Sequence, residues 1–193
     1  TVAIQNALVV IASGGGIFFP GPATYLISNE LRYSSNQTWY FGGGATLKLK
    51  DATVANLITS DLGFTCVGML QPTTTSETKV TFINLAIDGN KAGNPTTNSG
   101  DGLDIFGGTK INVINPYIHD VPRDGIAIGS SADSIFVYGA RCLDNGLAGV
   151  NGGNGIAITR AYNVQINAFD CSGNAIHGID MEPNAGSPAD SIT

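Results

Sequence analysis

Apolar and polar residues alternate with a period of two in short stretches, and one arrangement of these stretches recurs four times after residue 79. The first stretch of each copy begins with an apolar residue, at Val80, Ile111, Ile135 and Val164. Five residues after its second apolar position comes another residue of apolar type, at Ile87, Ile118, Cys142 and Cys171. Short alternating runs separated by Gly, Asn and Asp predict short β-strands joined by tight turns.

Each copy ends in a tetrad of the form Gly-apolar-x-apolar. The tetrads span residues 102–105, 125–128, 155–158 and 178–181, and a further strand begins at Ile192. The first strands start 31, 24 and 29 residues apart. A repeat of this length that holds several short strands predicts a solenoid. Because no segment supplies the crossover helices of an ordinary parallel sheet, we predict an all-β fold, a single-stranded right-handed parallel β-helix.

The driving force for this fold is the stacking of like residues at equivalent positions of successive coils. Leu103, Ile126, Ile156 and Ile179 form one predicted column inside the helix. Burying each such side chain contributes roughly 1.5–3 kcal/mol, and a slip by one residue would turn the column out to water. An antiparallel sandwich, the alternative, leaves the recurrence of like residues at equivalent positions unexplained.

The first part of the chain predicts a cap and less regular coils. Ile4, Ala7, Leu8 and Ile11 lie on one face of a predicted helix over residues 1–13, which would cover the open end of the solenoid. We predict one β-helix domain over 1–193, with irregular first coils over 15–79, four regular coils over 80–193 and the start of a fifth. We also expect the 193 residues to be a piece of a longer protein.

Composition and charge exclude some classes of partner. The net charge is -6, and 11 of the 15 acidic residues lie between Asp88 and Asp190. Because no basic stripe could meet phosphates, nucleic acid is not an expected partner. No apolar run approaches the roughly 20 residues of a membrane span. Three cysteines make no disulfide framework, and we expect Cys142 and Cys171 to be small buried thiols.

Several motifs in the first 50 residues resemble the start of a known superfamily. They are an Ala-Ile-Gln-x-Ala-Leu helix, the pair Gly15-Gly16, the run Thr24-Tyr-Leu-Ile27 and the coil Phe41-Gly-Gly-Gly-Ala-Thr-Leu47. Together they resemble the pectate-lyase-like right-handed parallel β-helix superfamily. It includes pectin and pectate lyases, polygalacturonases, alginate epimerases and phage tailspike depolymerases. The irregular Pro20-Gly-Pro-Ala23 departs from the usual motif.

The outer face of the tetrads carries the candidate chemistry. Because the apolar residues point inward, we expect the x residues, among them Asp104 and Asp180, to point to solvent. Asp101 and Asp124 fill equivalent positions about 5 Å apart on neighbouring coils, and paired carboxylates can divide acid and base roles. Asn98-Ser-Gly-Asp101 and Arg123-Asp124 resemble polygalacturonase motifs, which implies catalytic roles for Asp101 and Asp124. The alternative is turn chemistry, which favours Asp or Asn before Gly.

A second constellation consists of His177, Asp180 and Glu182. Asp180 and Glu182 share the outward face of one strand about 6.5–7 Å apart, and His177 enters beside them. His is a proton shuttle near neutral pH, and the two carboxylates could serve as acid and base. The stretch resembles a motif of alginate epimerases, with its His displaced. The alternative is that these residues only decorate a solvated face.

We predict that Asp104, Arg123, Asn154 and Arg160 contact a substrate. Arg123 and Arg160 are the arginines near the tetrads, and either could clamp a carboxylate or act as an elimination base. We predict no metal site and no required cofactor, although Ca²⁺ is an ion that the carboxylates could bind.

The function expected from the residues and the resemblance is binding and cleavage of a polysaccharide, by a lyase or a glycoside hydrolase. The resemblance favours a phage tailspike depolymerase, an extracellular homotrimer on a virion tail that acts on capsule, O-antigen or a uronic-acid polymer. One alternative is a secreted bacterial pectin or alginate lyase, hydrolase or epimerase. Another is a non-catalytic structural or adhesion shaft.

Overall fold

The computed structural model describes residues 2–11, 14–51, 69–94, 100–148, 152–167, 170–182 and 190–193. One helix and eighteen short strands lie within these ranges. In chain order they are α1 (Val2–Val10), β1 (Gly15–Phe19), β2 (Ala23–Ile27), β3 (Leu31–Tyr33), β4 (Gln37–Phe41), β5 (Ala45–Leu49), β6 (Leu70–Pro72), β7 (Thr78–Ile83), β8 (Ala86–Asp88), β9 (Leu103–Phe106), β10 (Thr109–Ile114), β11 (Tyr117–His119), β12 (Ile126–Gly129), β13 (Asp133–Tyr138), β14 (Arg141–Leu143), β15 (Ile156–Thr159), β16 (Tyr162–Asn167), β17 (Ile179–Glu182) and β18 (Asp190–Ile192).

The strands form three parallel sheets, and each of the first five coils contributes one strand to each sheet in turn. Sheet A has the order β1-β4-β7-β10-β13-β16-β18, sheet B the order β14-β11-β8-β5-β2, and sheet C the order β17-β15-β12-β9-β6-β3. The coil of β16 and β17 contributes strands to sheets A and C, and an isolated bridge between Asp170 and Arg141 stands beside sheet B. Strands that neighbour each other in a sheet therefore lie one coil apart in sequence. This topology is the predicted parallel β-helix. Strands expected at 56–58 and 64–67 lie outside the described residues.

The register matches the predicted columns residue for residue. In sheet A, Ile111 pairs with Val80 on one side and with Ile135 on the other. In sheet C, Ile126 pairs with Leu103 and Ile156, and Ile156 pairs in turn with Ile179. The sheet A residues and the first three sheet C residues of these columns are almost fully buried, as the alternation predicted, whereas Ile179 is half-buried.

The interior changes character along the axis. The first coils are filled by aromatic rings: Phe19 stacks on Phe41 with centroids 4.4 Å apart, and Trp39 lies 5.8 Å from Phe82. Later coils are filled by Ile, Val and Leu. Because large rings fill space that several aliphatic side chains fill elsewhere, the first coils do not show the regular sequence pattern of the later ones.

The corners between sheets place non-glycine residues in the left-handed region. Asn84, Asn115, Asp120 and Asp144 have φ between 51° and 54°. Asn and Asp tolerate this conformation better than other side chains because their short polar groups bond locally. The Asn and Asp residues that separate the strands in the sequence are therefore corner residues, and Asp120, which follows His119, is one of them.

Helix α1 covers the open end of the first coil, as predicted. Leu8 is buried, and Ile4 and Ile11 pack against the core, whereas Ala7 is exposed. The Gln5 side chain accepts a hydrogen bond from the Arg32 backbone N–H at 3.1 Å. This bond satisfies a donor at the edge of sheet C that no further coil would cover.

Cys142 is buried and Cys171 is half-buried, and both are free thiols. They follow each other in one inward column, as predicted. Cys66 lies outside the described residues.

Because β6 of sheet C contains Pro72, the Asp104 carbonyl of the neighbouring strand receives its hydrogen bond from a side chain instead of from the backbone. Leu70 pairs with Leu103, and the Leu70 N–H donates to the Gly102 carbonyl. In a parallel ladder the next donor in β6 would be the N–H of Pro72, aimed at the Asp104 carbonyl, but proline has no N–H. The hydroxyl of the fully buried Tyr33 donates to that carbonyl instead, at 2.7 Å.

We therefore expect Tyr33→Phe to destabilise the fold by roughly 1–3 kcal/mol, because it leaves the buried Asp104 carbonyl without a donor. Urea unfolding followed by circular dichroism measures the change. Tyr25→Phe is the matched control, since the Tyr25 hydroxyl bonds the Pro20 carbonyl at an exposed site. Equal stability losses in the two variants would contradict the role given to Tyr33.

Candidate active site on the outer face of sheet C

A turn precedes each of the strands β9, β12, β15 and β17 of sheet C, and the residues at equivalent positions of this turn are Asp101, Asp124, Asn154 and His177. Each is followed by a glycine. A Cβ on Gly102, Gly125 or Gly155 would lie 2.5, 2.6 or 2.5 Å from a carbonyl oxygen of the next coil. Only glycine allows the coils to approach this closely, which explains the invariant first residue of the tetrads.

One hydrogen bond repeats along this column. Asp101 Oδ1 accepts from the Asp124 N–H at 3.0 Å, and Asp124 Oδ1 accepts from the Asn154 N–H at 2.8 Å. Asn154 Oδ1 accepts from the His177 N–H at 3.2 Å. Each side chain thus holds the backbone of its counterpart one coil further on. We call these four residues the turn ladder. His177 is its last member among the described residues, and its ring is exposed.

Arg123 joins the first two carboxylates of the turn ladder. Its Nη1 lies 3.0 Å from Asp101 Oδ2, and its Nη2 lies 3.6 Å from Asp124 Oδ2. Both carboxylates are almost fully buried, whereas the Arg123 side chain is 19% exposed. Burial of a carboxylate without a partner is costly, so Arg123 is what allows two negative groups to be enclosed here.

Asp124 is further tied to the loop of the following coil. Besides the Asn154 backbone, its Oδ1 accepts from the Gly153 N–H at 2.9 Å and from Asn154 Nδ2 at 3.0 Å. Gly152 lies directly against Arg123: a Cβ at Gly152 would meet Arg123 Cγ at 2.5 Å. Asp124 is therefore held in one orientation by three donors and an arginine.

The surroundings of Asp101 disfavour its ionised form. Burial raises the pKa of Asp101 to about 6, against the opposing attraction of Arg123 and together with repulsion from Asp124. The Asp101 and Asp104 side chains also share a hydrogen bond. This bond acts against the effect of burial and lowers the pKa of Asp101.

The second predicted constellation lies beside this network. A depression of about 170 Å³ opens on the outer face of sheet C. It is lined by Arg123, Asp124, Gly152, Asn154, Ala157, Thr159, Ile176, His177, Asp180 and Glu182. Asp180 is half-buried and Glu182 is exposed. Within the described residues, these two carboxylates make no hydrogen bond or ion pair.

The structure brings together six of the nine predicted site residues, namely Arg123, Asp124, Asn154, His177, Asp180 and Glu182. Three others lie apart from the depression. Asp101 is enclosed beneath Arg123. Arg160 is half-buried at the corner after β15, with φ of 52° and a buried Nε that has no hydrogen-bond partner in the described part of the chain.

The prediction that Asp104 faces solvent is wrong. Its side chain lies on the outer side of β9 but has no exposed surface. The physical reason is local: the Asp104 carboxyl group bonds the buried Asp101 carboxyl group rather than projecting into water. Ala127, at the equivalent position of β12, is also buried. The outer face of sheet C is thus open at Ala157 and Asp180 and closed at the two preceding coils.

Sequence reasoning missed Ile176 and Gly152. Ile176 is an exposed apolar side chain next to His177, and its N–H donates to the Gly153 carbonyl. An isolated apolar residue in a polar turn, one position before a candidate catalytic His, was the available signal. Gly152 could be identified only from its contact with Arg123.

A different group of potential metal ligands lies at the end of sheet B. Ligand atoms of Asp88, His119 and Asp120 all lie within 4.8 Å of one another. Lys48 Nζ already lies 2.7 Å from Asp88 Oδ2, and His119 Nδ1 lies 2.9 Å from Asp120 Oδ2. These groups therefore already neutralise or bond one another.

Arg141 makes a cation–π contact with Tyr117, with the guanidinium carbon 4.8 Å from the ring centre. Among the described helices, none is long and apolar enough to cross a membrane.

Comparison with known proteins places this architecture in a class. The chain matches the family model described as "right handed beta helix region" over residues 15–191. It therefore belongs to the right-handed β-helix family, as predicted. A search of curated proteins gives no significant match.

Among solved structures, the chain is similar to a crystal structure of a "putative glycosyl hydrolase" from Parabacteroides merdae. The two share 15% sequence identity with a TM-score of 0.69, and the similarity covers 100% of this chain and 88% of that chain. At this identity the likeness concerns the fold.

The buried acid network generates a prediction about pH. Asp101 in the folded protein keeps its proton up to about pH 6, whereas in the unfolded chain it loses it near the ordinary value of 3.8. Between these values the folded state binds more protons, so stability falls as pH rises through this window. The decrease in the free energy of unfolding across this window is on the order of 2–3 kcal/mol. We expect Asp101→Asn to abolish this decrease, because the amide does not titrate.

Urea unfolding at several values between pH 4 and pH 7 measures the difference between wild type and variant. Asp170→Asn, which removes an exposed carboxylate, should follow the wild-type curve. If Asp101→Asn also follows the wild-type pH dependence, Asp101 does not titrate as described.

Proposed function

We propose that this protein binds a polysaccharide along the outer face of sheet C and cleaves it in the depression next to His177. The observation that carries the proposal is the pair of unengaged carboxylates, Asp180 and Glu182, on one strand in an accessible depression. Neither carboxylate makes a hydrogen bond or an ion pair among the described residues. A single solvated charged group on a surface needs no functional explanation. Asp180, Glu182 and His177, however, lie together in one depression, and such a cluster of ionisable groups favours a chemical role.

The chemistry of the site suits glycosidic bonds. Cleavage needs one group that donates a proton to the leaving oxygen and a second that acts as base or nucleophile, and paired carboxyl groups serve these roles. We assign the two roles to Asp180 and Glu182, and the transfer of protons with solvent to His177. The "putative glycosyl hydrolase" with a similar fold supports the same reaction class.

We assign the first two members of the turn ladder a positioning role. Asp124 holds the loop at Gly153 and Asn154, and Asn154 in turn holds the backbone of His177. Asp101 acts one step further away by orienting Arg123 and Asp124. Arg123 and Asn154, both on the wall of the depression, are proposed to contact the sugar chain. We propose that no cofactor is required.

The test is activity against a panel of capsular, O-antigen and plant polysaccharides, with assays of reducing ends and of unsaturated products. Asp180→Asn and Glu182→Gln should each lower kcat by about 10²–10⁴-fold, which is the usual contribution of a general acid or base. Asp170→Asn, an isosteric change of an exposed carboxylate on the same coil, should leave kcat unchanged. EDTA should also have no effect.

Unchanged kcat in both site variants would remove the catalytic assignment. Binding of a polymer without cleavage would favour the alternative in which the protein is a structural or adhesion shaft. Unsaturated products would indicate elimination, and saturated reducing ends would indicate hydrolysis.

We further propose that the protein acts outside the cell as a homotrimeric tailspike-type depolymerase on a virion. A column of outward apolar residues along sheet A supports self-association. The register places Phe18, Tyr40, Ile83, Ile114 and Tyr138 at equivalent positions of successive coils. Phe18 and Tyr40 are exposed and stack with centroids 5.4 Å apart. Parallel copies would present the same column to one another.

Sedimentation equilibrium should give the mass of three chains. Ile114→Lys should reduce it to that of one chain, whereas Leu26→Lys, an exposed apolar position on sheet B, should not. A single-chain mass for the wild type would contradict the trimer and favour the alternative of a secreted monomeric enzyme.

A further inference from the structure

The charge around the depression restricts which polysaccharide can enter it. We infer that the site takes a chain of uncharged sugars and rejects polymers that carry carboxylate, sulfate or phosphate groups. This inference rests on the proposed function, and it selects against the uronic-acid polymers among the substrates expected from the sequence.

The first observation is that the basic group of the lining is already engaged. Arg123 is paired with Asp101 and Asp124 at 3.0 and 3.6 Å. Two carboxylates against one guanidinium leave no positive charge for a ligand. An acidic sugar in the depression would have to take Arg123 away from two buried carboxylates, which would then be left without a counterion.

The second observation is that the free polar groups of the lining, apart from the neutral hydroxyl of Thr159 and the His177 ring, are the carboxylates of Asp180 and Glu182. Asp180 and Glu182 offer four carboxylate oxygens and no donor when ionised. Sugar hydroxyl groups can donate to them, and a bond between a hydroxyl and a carboxylate is a strong charge-assisted hydrogen bond. A sugar carboxylate at the same place would put like charges side by side in a partly desolvated site.

The third observation comes from the sequence around the site. From Leu143 to Thr193 the chain contains five acidic residues and Arg160 as its single Lys or Arg. Arg160 does not line the depression. Segments 149–151 and 183–189, which flank the lining residues in sequence, contain no Lys, Arg, Asp or Glu. No local segment therefore supplies the cation that an acidic polymer would need.

Among the described residues, the depression contains no group of three converging His, Cys, Asp or Glu ligands that would hold a bridging cation. A divalent ion that joined a sugar carboxylate to the protein would need several converging oxygen ligands. In the described parts of the chain, the three-residue group whose ligand atoms converge within 4.8 Å is Asp88, His119 and Asp120 on sheet B, not the carboxylates of the depression. Asp124, whose Oδ1 already accepts three hydrogen bonds, is turned toward the protein.

The experiment compares polymers that differ only in charge. Polygalacturonate, alginate and hyaluronan are each paired with their carboxyl-reduced forms, in which the same linkages join neutral sugars. Binding to the full chain is measured by affinity electrophoresis at pH 8 and low salt, with EDTA present. We expect a carboxyl-reduced polymer to bind at least tenfold more tightly than its acidic parent. The ratio should shrink as salt increases, because screening weakens the repulsion.

The double variant Asp180→Asn plus Glu182→Gln separates electrostatic rejection from shape. It should raise the affinity for an acidic polymer severalfold and so reduce the tenfold preference for the carboxyl-reduced form. Asp170→Asn should leave that preference unchanged. The inference would be overturned if the wild type bound an acidic polymer as tightly as, or more tightly than, its carboxyl-reduced form, and if the double variant weakened that binding. The proposed function would remain supported in that case. Failure of every acidic and neutral polymer to bind would remove the proposed function and this inference with it.

Discussion

The structure depends on the close, in-register approach of each coil to the next. At three successive turns before sheet C, a carbonyl oxygen of the following coil occupies the space where a Cβ would stand, 2.5–2.6 Å from its ideal position. This contact fixes glycine at the first position of the tetrads and sets the height of the strands that follow. Because the inward columns of Ile, Leu and Val lie at the same heights, the hydrophobic core and the turns specify one register together.

The turn ladder uses the same register for polar groups. Its repeated bond, from a side-chain oxygen to the N–H of the equivalent residue one coil further on, needs Asp or Asn at each position and a constant rise between coils. At Asp101 and Asp124 the bond is buried and paired with Arg123. At His177 the column reaches an exposed ring beside Asp180 and Glu182. One column therefore contains both structural residues and a candidate catalytic residue. The buried members, Asp101 and Asp124, have a structural role, and the exposed member, His177, is the candidate for chemistry.

The fold could be predicted from the sequence because its determinants are periodic. The alternation in Ile135-Phe-Val137 and the recurrence of the tetrads define inward columns without any knowledge of three-dimensional contacts, and the observed pairings follow them. The first coils were harder to read, since Phe19, Trp39 and Phe41 fill the core with stacked rings rather than with a repeated aliphatic residue. The alternation also cannot reveal the substitution of the Tyr33 hydroxyl for a missing proline N–H.

The site could be predicted only in part, for a physical reason. Alternation tells which side of a sheet a residue occupies, and it grouped His177, Asp180 and Glu182 correctly on the outer face. It does not tell whether that side is covered, so Asp104 was expected in solvent although it lies bonded to Asp101. Pairing of Arg123 with two carboxylates depends on side-chain directions across coils, which no single-coil motif encodes. Because of that pairing, the positive charge of Arg123 is neutralised by Asp101 and Asp124 and is not available to bind a substrate carboxylate.

The most direct measurement is a crystal structure of the protein with a bound oligosaccharide released from a polymer that it cleaves. The account predicts sugar hydroxyl groups within hydrogen-bonding distance of the Asp180 and Glu182 carboxylates, with the Arg123 pairs to Asp101 and Asp124 intact. An oligosaccharide bound on the outer face of sheet A or sheet B, with the depression on sheet C empty, would contradict it.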